Sequence, residues 1–368
     1  MNEAGKALEI KVDNKLAYEI RIEESYRFLS EILQSLDMQN RKFMILTDRN
    51  VGKLYAEQVE KALRPIAKSV AVYPFPAGEK SKNLDTVKDC YEQLILHGFD
   101  RKDILIALGG GVVGDLTGFV ASTYLRGIRF VQVPTTLLAM VDSSIGGKTG
   151  VDFNDYKNMV GAFYQPKLVY INLAALKTLP ANQYYSGMGE IIKHGLIKDC
   201  NYYTWIKEHT AQIKAKDYTT LAKMIYRSCR IKKEVVEEDP KEAGVRALLN
   251  FGHTIGHSVE KLKNFTLLHG ECVSIGMAAA AYISLQRGDI TEGQYKDLLQ
   301  TLQAFEQPIT VQGLDVEAVL EATKLDKKMD AGQIKFILLK EIGEGIIDTT
   351  VSEKEIREAI QSVMIEER

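Results

Sequence analysis

Residues 104–115 have the sequence Ile104-Leu-Ile-Ala-Leu-Gly109-Gly110-Gly111-Val-Val-Gly114-Asp115, an apolar run that ends in a group of glycines. This order predicts a buried strand, a tight turn and then a helix. Three of the glycines, at 109, 111 and 114, fit the pattern G-x-G-x-x-G. In that pattern, backbone N–H groups at the helix N-terminus can approach a pyrophosphate. The motif alone also fits an ordinary strand–helix turn, and both interpretations stay open at this point.

The sequence on both sides of this stretch alternates in the same way. Short β-branched runs predict strands at 8–12, 18–22, 43–47, 69–73, 104–108, 130–133 and 168–171. Helical patterns lie between several of them, at 24–36, 51–63, 86–97 and 114–124. Strands that alternate with helices of this length predict βαβ units and a parallel sheet. We therefore expect a Rossmann-like α/β domain over residues 1–180.

The pattern changes after Pro180. Only Pro240 and Pro308 follow it, and long helix-compatible windows dominate, at 183–197, 219–238, 249–261, 271–286 and 292–305. One strand is predicted at 334–339, before a final helix at 353–363. The apolar run 272–285 has 14 residues, which is too short to span a bilayer, so it predicts a buried core helix. We expect residues 181–368 to form a mostly α-helical domain.

Composition narrows the class of protein further. The chain has 368 residues, and 47 Lys and Arg nearly balance 49 Asp and Glu, for a net charge of −2. A broad nucleic-acid surface is therefore not expected. The four cysteines, at 90, 200, 229 and 272, form no C-x-x-C pair, and the N-terminus begins with no long apolar run. These features predict a cytoplasmic setting without membrane attachment.

The candidate nucleotide site departs from the usual dinucleotide pattern. The ribose-binding acid usually lies about 20 residues after the glycines, but residues 129–134 contain no acid. Asp48, at the end of an earlier predicted strand, is the better candidate, although it also fits a plain helix N-cap. A second glycine pair, in Gly146-Gly147-Lys148-Thr149, resembles the end of a P-loop. The residue five before Gly147 is Asp142 rather than glycine, which excludes an ATP P-loop.

The helical half carries a candidate metal site. Glu190, Lys193 and His194 share one face of a predicted helix, and His253 and His257 share one face of another. His269 opens a third predicted helix. Imidazole and carboxylate groups suit Zn²⁺, and a site with an open fourth position is typical of catalysis. The residue after His253 is Thr254, so the peptidase glutamate is missing. Paired histidines that fill a helix–helix contact remain the alternative.

Larger blocks of the sequence resemble 3-dehydroquinate synthase, in order from about residue 43 to 340. The blocks are 109–118, 124–127, 133–138, 141–150, Lys157-Asn158, 161–166, 178–180, Glu190, 248–257 and 268–271. Small departures occur at Met140, Gly189 and Asp152, where the family often has Gln, Ala and Asn.

The resemblance implies an enzyme that uses NAD and a divalent metal, Zn²⁺ or alternatively Co²⁺. The family converts 3-deoxy-D-arabino-heptulosonate 7-phosphate into 3-dehydroquinate and phosphate, a step of the shikimate pathway towards chorismate and aromatic amino acids. Its reaction is a transient oxidation, a phosphate β-elimination, a re-reduction, a ring opening and an aldol closure. That chemistry makes it a phosphate-eliminating carbon–oxygen lyase.

Residue by residue, the resemblance implies three groups of ligands. The metal would be bound by Glu190, His253 and His269. NAD would be bound by Asp48, Glu79, Lys82, Gly110, Gly111, Val112, Asp115, Thr135, Thr136, Lys148, Lys157 and Thr178. The substrate, a phosphorylated sugar acid, would contact Asp142, Lys148, Asn158, Lys193, Lys232, Arg246, Asn250, His257 and Lys340, and Arg126 of a neighbouring subunit. The last contact implies a homodimer, and His257 is the candidate proton carrier.

Two other functions stay open on the sequence alone. One is a related enzyme, either 2-deoxy-scyllo-inosose synthase or a metal-dependent polyol dehydrogenase. The other is a non-catalytic NAD-binding sensor, which would tolerate loss of the metal ligands. The intact block from Asp142 to Lys148 favours the dehydroquinate branch over the related enzymes.

Overall fold

The computed structural model describes residues 7–154, 156–242, 244–328 and 335–365. The chain divides into two compact units. The first contains Met1–Leu179 together with Leu221–Lys233, and the second contains Pro180–Thr220 together with Glu234–Arg368.

The first unit is built on a twisted sheet with strand order β1-β2-β9-β6-β5-β3-β4. Strands β1 and β2 pair antiparallel, and the other neighbours in the sheet pair parallel. The elements are β1 (Ala7–Val12), β2 (Lys15–Glu23), α1 (Leu29–Ser35), β3 (Lys42–Asp48), α2 (Arg49–Leu63), β4 (Ser69–Phe75), α3 (Leu84–Leu96), β5 (Ile104–Gly109), α4 (Gly111–Thr123), β6 (Arg129–Pro134), β7 (Lys148–Phe153), β8 (Tyr156–Phe163) and β9 (Leu168–Asn172). All seven predicted strands are present, and the predicted α/β class is confirmed.

The register of the sheet places several loop residues at one edge. Strand β5 is buried along its whole length, as expected for a central parallel strand covered on both faces. In the pairing of β3 with β5, Thr47 lies opposite Leu108, and in that of β5 with β6, Gly109 lies opposite Pro134. The same carboxyl edge of the sheet therefore carries Asp48, which ends β3, and Gly110 and Thr135, which directly follow β5 and β6. Ligands of open α/β sheets bind at this edge.

The antiparallel hairpin of β7 and β8 was not predicted. Its strands have 6 and 8 residues, and polar residues interrupt the alternation that would mark them. Gly150 and Gly161 face each other across the hairpin so closely that a side chain on either would collide with the opposite backbone. A π-helical turn over Ala139–Ser143 precedes the hairpin.

The second unit is mostly helical. Its elements are α5 (Ala181–Lys198), α6 (Cys200–Glu208), α7 (Thr210–Lys214), α8 (Tyr218–Glu238), α9 (His253–Leu262), α10 (His269–Arg287), α11 (Glu292–Ala304), β10 (Val311–Gln312), α12 (Val316–Lys328), β11 (Phe336–Glu341), β12 (Glu344–Asp348), α13 (Glu353–Ser362) and β13 (Met364–Ile365), and the middle of α8 belongs to the first unit. The predicted late strand is found as β11, although Ile334 lies outside the described residues.

The predicted helix at 249–261 was wrong at its start. Residues Val245–Asn250 form a 3-10 helix, and α9 begins only at His253. Gly252 separates the two because its backbone adopts a left-handed conformation, with φ of 80°. The break makes His253 the first residue of a new helix rather than an interior one.

Glycines bring α9, α10 and α5 into backbone contact. A Cβ on Gly252 would lie 2.6 Å from the carbonyl oxygen of Val273 and 2.8 Å from the backbone nitrogen of Met277, both in α10. Gly256 approaches the carbonyl of Cys272 in the same way, at 2.7 Å. Gly270 of α10 lies against the backbone of Ser186 in α5. The starts of α9 and α10 are therefore fixed next to α5.

Helix α10 is the core of the second unit. Thirteen of its 19 residues are buried, which confirms the core helix predicted from the apolar run. Among the described helices, none combines the length and apolar character needed to cross a bilayer.

We predict that Gly252→Ala destabilises the second unit more than Gly288→Ala does. Both glycines have φ of 80°, but a Cβ on Gly288 meets nothing within 4 Å. Left-handed strain costs an alanine about 1–2 kcal/mol at either position. Overpacking against α10 adds about 1–3 kcal/mol at Gly252 alone.

Fluorescence of the single tryptophan, Trp205 in α6, reports unfolding of this unit during urea titration. Equal losses in the two variants would contradict the backbone crossing of α9 on α10.

Candidate active site

The glycine turn after β5 leaves the N-terminus of α4 without a side-chain cap. Gly110 occupies the N-cap of α4 and Gly111 its first position, so no side chain caps the first N–H groups of the helix. A Cβ on Gly110 would lie 3.1 Å from the Thr136 side chain, and one on Gly111 would lie 3.1 Å from Ser143 Oγ, so glycine allows this close packing. The uncapped N-terminus of the 13-residue helix α4 is suited to a pyrophosphate. The predicted strand–turn–helix context of the motif is thus present, with Val112 in the first turn.

Two further predicted cofactor residues lie at the same edge of the sheet. Asp48 caps α2, since its Oδ1 accepts hydrogen bonds from the N–H groups of Asn50 (2.8 Å) and Val51 (3.0 Å). The alternative interpretation of Asp48 as a helix N-cap is therefore confirmed. Both bonds use one oxygen of a carboxylate that has two, so capping is compatible with a ribose contact. The Thr135 N–H donates to the carbonyl of Gly109 at 2.9 Å, which joins the ends of β5 and β6.

Thr178 is the predicted cofactor residue furthest along the chain. It follows β9, and its hydroxyl contacts that of Tyr55 from α2. The Tyr55 hydroxyl also donates to the carbonyl of Ala175, at 3.3 Å. The motifs did not indicate Tyr55, whose hydroxyl holds Thr178 against the segment after β9.

Another group of predicted residues surrounds the buried side chain of Lys82. The Lys82 ammonium pairs with Asp115 Oδ2 at 2.8 Å and donates to Asn158 Oδ1. Lys82 is 4% exposed, and burial works against its charge, but Asp115 and Glu79 keep its pKa above the usual value. Burial in turn raises the pKa of Asp115, an effect that Lys82 opposes.

Glu79 and Lys157 complete this group. Glu79 Oε1 lies 4.0 Å from Lys157 Nζ, and burial raises the pKa of Glu79. The Asp152 carboxylate accepts the N–H of Asn158 at 2.8 Å, and the Asp152 N–H donates to the Lys82 carbonyl at 2.8 Å. The structure therefore brings five predicted residues together through a charged network: Glu79, Lys82, Asp115, Lys157 and Asn158.

The first unit also holds a pair predicted to contact substrate. Lys232, from the part of α8 in this unit, forms an ion pair with the Asp142 carboxylate and donates to the Asp142 carbonyl at 2.6 Å. Lys232 is only 6% exposed. Lys148 begins β7, and its side chain is exposed.

The second unit contains the predicted metal ligands, each from a different helix. Glu190 lies in the middle of α5, while His253 and His269 are the first residues of α9 and α10. Glu190 Oε1 lies 3.7 Å from His253 Nε2 and 3.6 Å from His269 Nε2. One ligand atom of each residue lies within 4.8 Å of the other two. The three predicted ligands therefore converge.

These separations fit a shared cation better than direct hydrogen bonds. Two atoms bound tetrahedrally at about 2.1 Å from one zinc ion are about 3.4 Å apart. Glu190 is fully buried; its Oε2 forms an ion pair with Lys193, while among the described residues its Oε1 accepts no hydrogen bond of ordinary geometry. A buried carboxylate oxygen without such a partner favours a nearby positive charge. The chemistry of the donor set and the position of Oε1 both fit a divalent metal.

The charges around the cluster suit metal binding. Burial opposes ionisation of Glu190, but the ion pair with Lys193 and the imidazole of His269 outweigh it and hold the Glu190 pKa below its usual value. Burial and the nearby Lys193 ammonium lower the pKa of His253 well below the ordinary value, so its imidazole is neutral. His269 faces two carboxylates, and despite burial they raise its pKa to about 9. A bound cation would displace that proton.

Two groups behind the histidines orient their rings. His253 Nδ1 lies 3.2 Å from the Phe251 carbonyl, which as a hydrogen-bond acceptor leaves Nε2 as the ligand atom. His269 Nδ1 lies 3.8 Å from Glu260 Oε2, on the far side of the ring from Glu190. The motif analysis did not indicate Glu260, although it lies next to a predicted metal ligand. Its only sequence signal is its position seven residues after His253, two turns along α9.

The remaining predicted residues of the second unit are distributed unevenly around the cluster. The His257 ring lies 5.0 Å from that of His253 and 6.0 Å from that of His269, between ring centroids. Arg246 is buried, and its guanidinium donates to the Pro240 carbonyl at 2.8 Å, while Asn250 donates to Glu242 at 3.0 Å. Lys340 is exposed on β11, and its ion-pair partner among the described residues is Glu344, at 2.8 Å.

Arg126 lies in the first unit, in a short turn after α4. Its backbone is left-handed, with φ of 66°, and Leu125 before it has φ of 50°. Consecutive left-handed residues other than glycine are unusual and mark a strained segment.

Comparison with known proteins identifies the family. The family model described as 3-dehydroquinate synthase N-terminal matches residues 72–186, and the model described as 3-dehydroquinate synthase C-terminal matches residues 187–329. Two curated relatives carry the name 3-dehydroquinate synthase. The protein from Acetivibrio thermocellus is 46% identical over 94% of this chain and 96% of its own length. That from Ruminiclostridium cellulolyticum is 43% identical over 92% of this chain and 94% of its own length.

A solved structure agrees with the fold. ValA (2-epi-5-epi-valiolone synthase) from Streptomyces hygroscopicus subsp. jinggangensis 5008, with NAD⁺ and Zn²⁺ bound, has a TM-score of 0.87 and 27% identity, covering 97% of this chain and 99% of that one. Two matching family models and relatives above 40% identity over almost the whole chain leave one conclusion. This chain belongs to the 3-dehydroquinate synthase family.

Proposed function

We propose that this chain converts 3-deoxy-D-arabino-heptulosonate 7-phosphate into 3-dehydroquinate and phosphate, with bound NAD and a divalent metal. The relatives named 3-dehydroquinate synthase match it over nearly their full length. The solved structure of ValA, with NAD⁺ and Zn²⁺ bound, supports the cofactor pair. In this reaction phosphate leaves by elimination, so the enzyme acts as a carbon–oxygen lyase of the shikimate pathway, and we expect it to work in the cytoplasm.

The observation that carries the proposal is the convergence of Glu190, His253 and His269. When bound, NAD exchanges a hydride with the substrate and the metal polarises the hydroxyl that is oxidised. The buried carboxylate supplies one negative charge to a divalent cation, and two neutral imidazoles complete three ligands. Such a set leaves an open position for a substrate oxygen. The family reaction needs that position.

The other residues serve to bind and orient the substrate. Lys193, Arg246 and Asn250 lie in the second unit, near or between the metal ligands in sequence, and provide donors for a carboxylate or a hydroxyl. Lys148 is exposed at the start of β7 and suits an anionic group as a point charge. His257, close to both ligand histidines, is the proposed proton carrier.

The same proposal includes a homodimer. The hairpin of β7 and β8 exposes four large apolar side chains: Phe153 (46%), Tyr156 (53%), Met159 (43%) and Phe163 (55%). Leu125, also 40% exposed, lies next to Arg126 in the strained turn. Exposed apolar side chains on one element are typical of protein–protein contacts. We propose that Arg126 reaches the substrate phosphate bound by a second copy of the chain.

The first test replaces individual metal ligands. We predict that His253→Ala and Glu190→Gln lower the bound metal from about one ion per chain to under about a tenth, because a three-ligand site does not survive loss of one ligand. Turnover falls with it, while circular dichroism is retained. His97→Ala, at an exposed histidine after α3, is the control. Metal is counted by mass spectrometry, and EDTA followed by Zn²⁺ or Co²⁺ should silence and then restore the wild type. Full metal content in His253→Ala would remove His253 from the ligand set.

The reaction itself is tested by two signals from one sample. With the heptulosonate phosphate as substrate, we predict steady release of inorganic phosphate and no net change of absorbance at about 340 nm, since hydride returned within each cycle leaves no NADH. A steady rise of that absorbance with a polyol would indicate a dehydrogenase. Conversion of glucose 6-phosphate into a carbocycle would indicate a different cyclase. Either result would contradict the proposed function.

Mixing two inactive variants tests the dimer. Arg126→Ala lacks the proposed cross-subunit contact, and His253→Ala lacks a metal ligand. In a mixed dimer, the site built on the Arg126→Ala chain receives Arg126 from its partner and keeps its own metal. Half of the randomly formed dimers are mixed and half of their sites are intact, so we predict recovery of about one quarter of wild-type activity. No recovery, with mixed dimers demonstrated by mass, would place Arg126 within its own subunit.

A further inference from the structure

A buried tyrosine outside the recognised motifs supports the turn before Lys148. Tyr18 lies on β2 and is 2% exposed. Its hydroxyl accepts a hydrogen bond of 3.1 Å from the Gly146 N–H, 128 residues further along the chain. The sequence blocks that resemble the family begin only at about residue 43. This contact links the segment before them to the glycine pair that precedes Lys148.

The turn consists of two glycines with left-handed backbone. Gly146 and Gly147 have φ of 100° and 69°, which only glycine adopts without strain. Gly147 is also enclosed, since a Cβ there would collide with the Gln165 side chain, and its carbonyl accepts the Tyr164 N–H at 2.8 Å. Two successive glycines have the largest backbone freedom to lose, so external hydrogen bonds decide where the turn directs the next residue. Tyr18 fixes the first peptide of the turn and Tyr164 the second.

We propose that Tyr18 is a positioning residue for Lys148, a role that rests on the proposed function of Lys148 as a contact to an anionic group of the substrate. Tyr18 acts through the backbone of Gly146, two residues before Lys148, and is itself buried. A small displacement of a charged group from its anionic partner lowers turnover strongly, because electrostatic stabilisation depends on preorganised geometry. Removal of one oxygen atom from Tyr18 should therefore affect catalysis with little effect on the fold.

The chain offers a matched control at Tyr170. Tyr170 lies on β9, the neighbour of β2 in the sheet, and is fully buried. Its hydroxyl donates to the carbonyl of Ser25 at 2.6 Å, so it too makes a hydrogen bond to backbone. Tyr170→Phe therefore loses a comparable bond from the same sheet, but none at the glycine turn.

The test is a double-mutant cycle on the holoenzyme, with phosphate release as the assay. We expect Tyr18→Phe to lower kcat/KM about tenfold and Tyr170→Phe less than about twofold. In a Lys148→Ala background, Tyr18→Phe should lower the residual activity by less than about twofold, because its effect passes through Lys148. Bound metal should match the wild type, because Tyr18 contacts none of the three proposed metal ligands in the described residues. Equal effects of the two tyrosine variants, or an undiminished effect of Tyr18→Phe without Lys148, would overturn the proposal.

A second measurement separates this proposal from the proposed function. Hydrogen exchange of the segment 144–149 reports the Gly146 N–H directly, whatever reaction the enzyme catalyses. We expect exchange about tenfold faster in Tyr18→Phe and unchanged in Tyr170→Phe. Wild type without phosphate release would refute the proposed function alone. Unchanged exchange in Tyr18→Phe would refute the positioning role alone.

Discussion

The buried carboxylate of Glu190 is the constraint on which the second unit depends. A fully buried charge costs several kcal/mol unless opposite charge surrounds it. Lys193, three residues later on the same helix, supplies one ion pair, and the imidazoles of His253 and His269 face the other oxygen at 3.7 and 3.6 Å. These groups come from three helices, so their convergence requires three helix axes to pass within side-chain reach. Glycines at the crossings of α9 and α5 with α10 permit that approach. The packing of the unit and the chemistry of its site are therefore set by one arrangement.

How much of this could be predicted from sequence depends on the distance along the chain between the partners. The strands of the first unit follow from local hydrophobic runs, and their order along the chain correctly indicated a parallel sheet. Sequence spacing indicated a histidine cluster, and the family resemblance added Glu190 to it; the structure brings Glu190, His253 and His269 together. The contacts of Glu260 and Tyr18 could not be predicted, because tertiary packing brings each to its partner. The β7–β8 hairpin was missed because its exposed apolar side chains do not follow the alternation of a half-buried strand.

The first unit handles charge differently from the second. In the first unit, the buried lysine Lys82 is surrounded by acidic and amide groups of Glu79, Asp115 and Asn158. Lys82 and Lys157 each lie beside an acidic partner, whereas Glu190 Oε1 accepts no hydrogen bond among the described residues. Side chains held in advance by ion pairs lose little conformational entropy when a ligand binds. The first unit therefore orders its charged side chains through its own ion pairs, whereas the carboxylate of the second unit leaves one oxygen for a cation.

Glycine shows why motif and geometry must be considered together. At Gly110 and Gly111 the missing side chains let the side chains of Thr136 and Ser143 approach the start of α4, since a Cβ would lie 3.1 Å from each. At Gly252 and Gly270 the missing side chains are replaced by backbone of a neighbouring helix, so no ligand can enter. Both kinds of glycine precede or begin a helix that carries functional residues, and the sequence alone does not distinguish them. What differs is the partner: side chains of the first unit in one case and the backbone of a neighbouring helix in the other. The same substitution to alanine should therefore displace side chains at the N-terminus of α4 at Gly110, but disturb helix packing at Gly252.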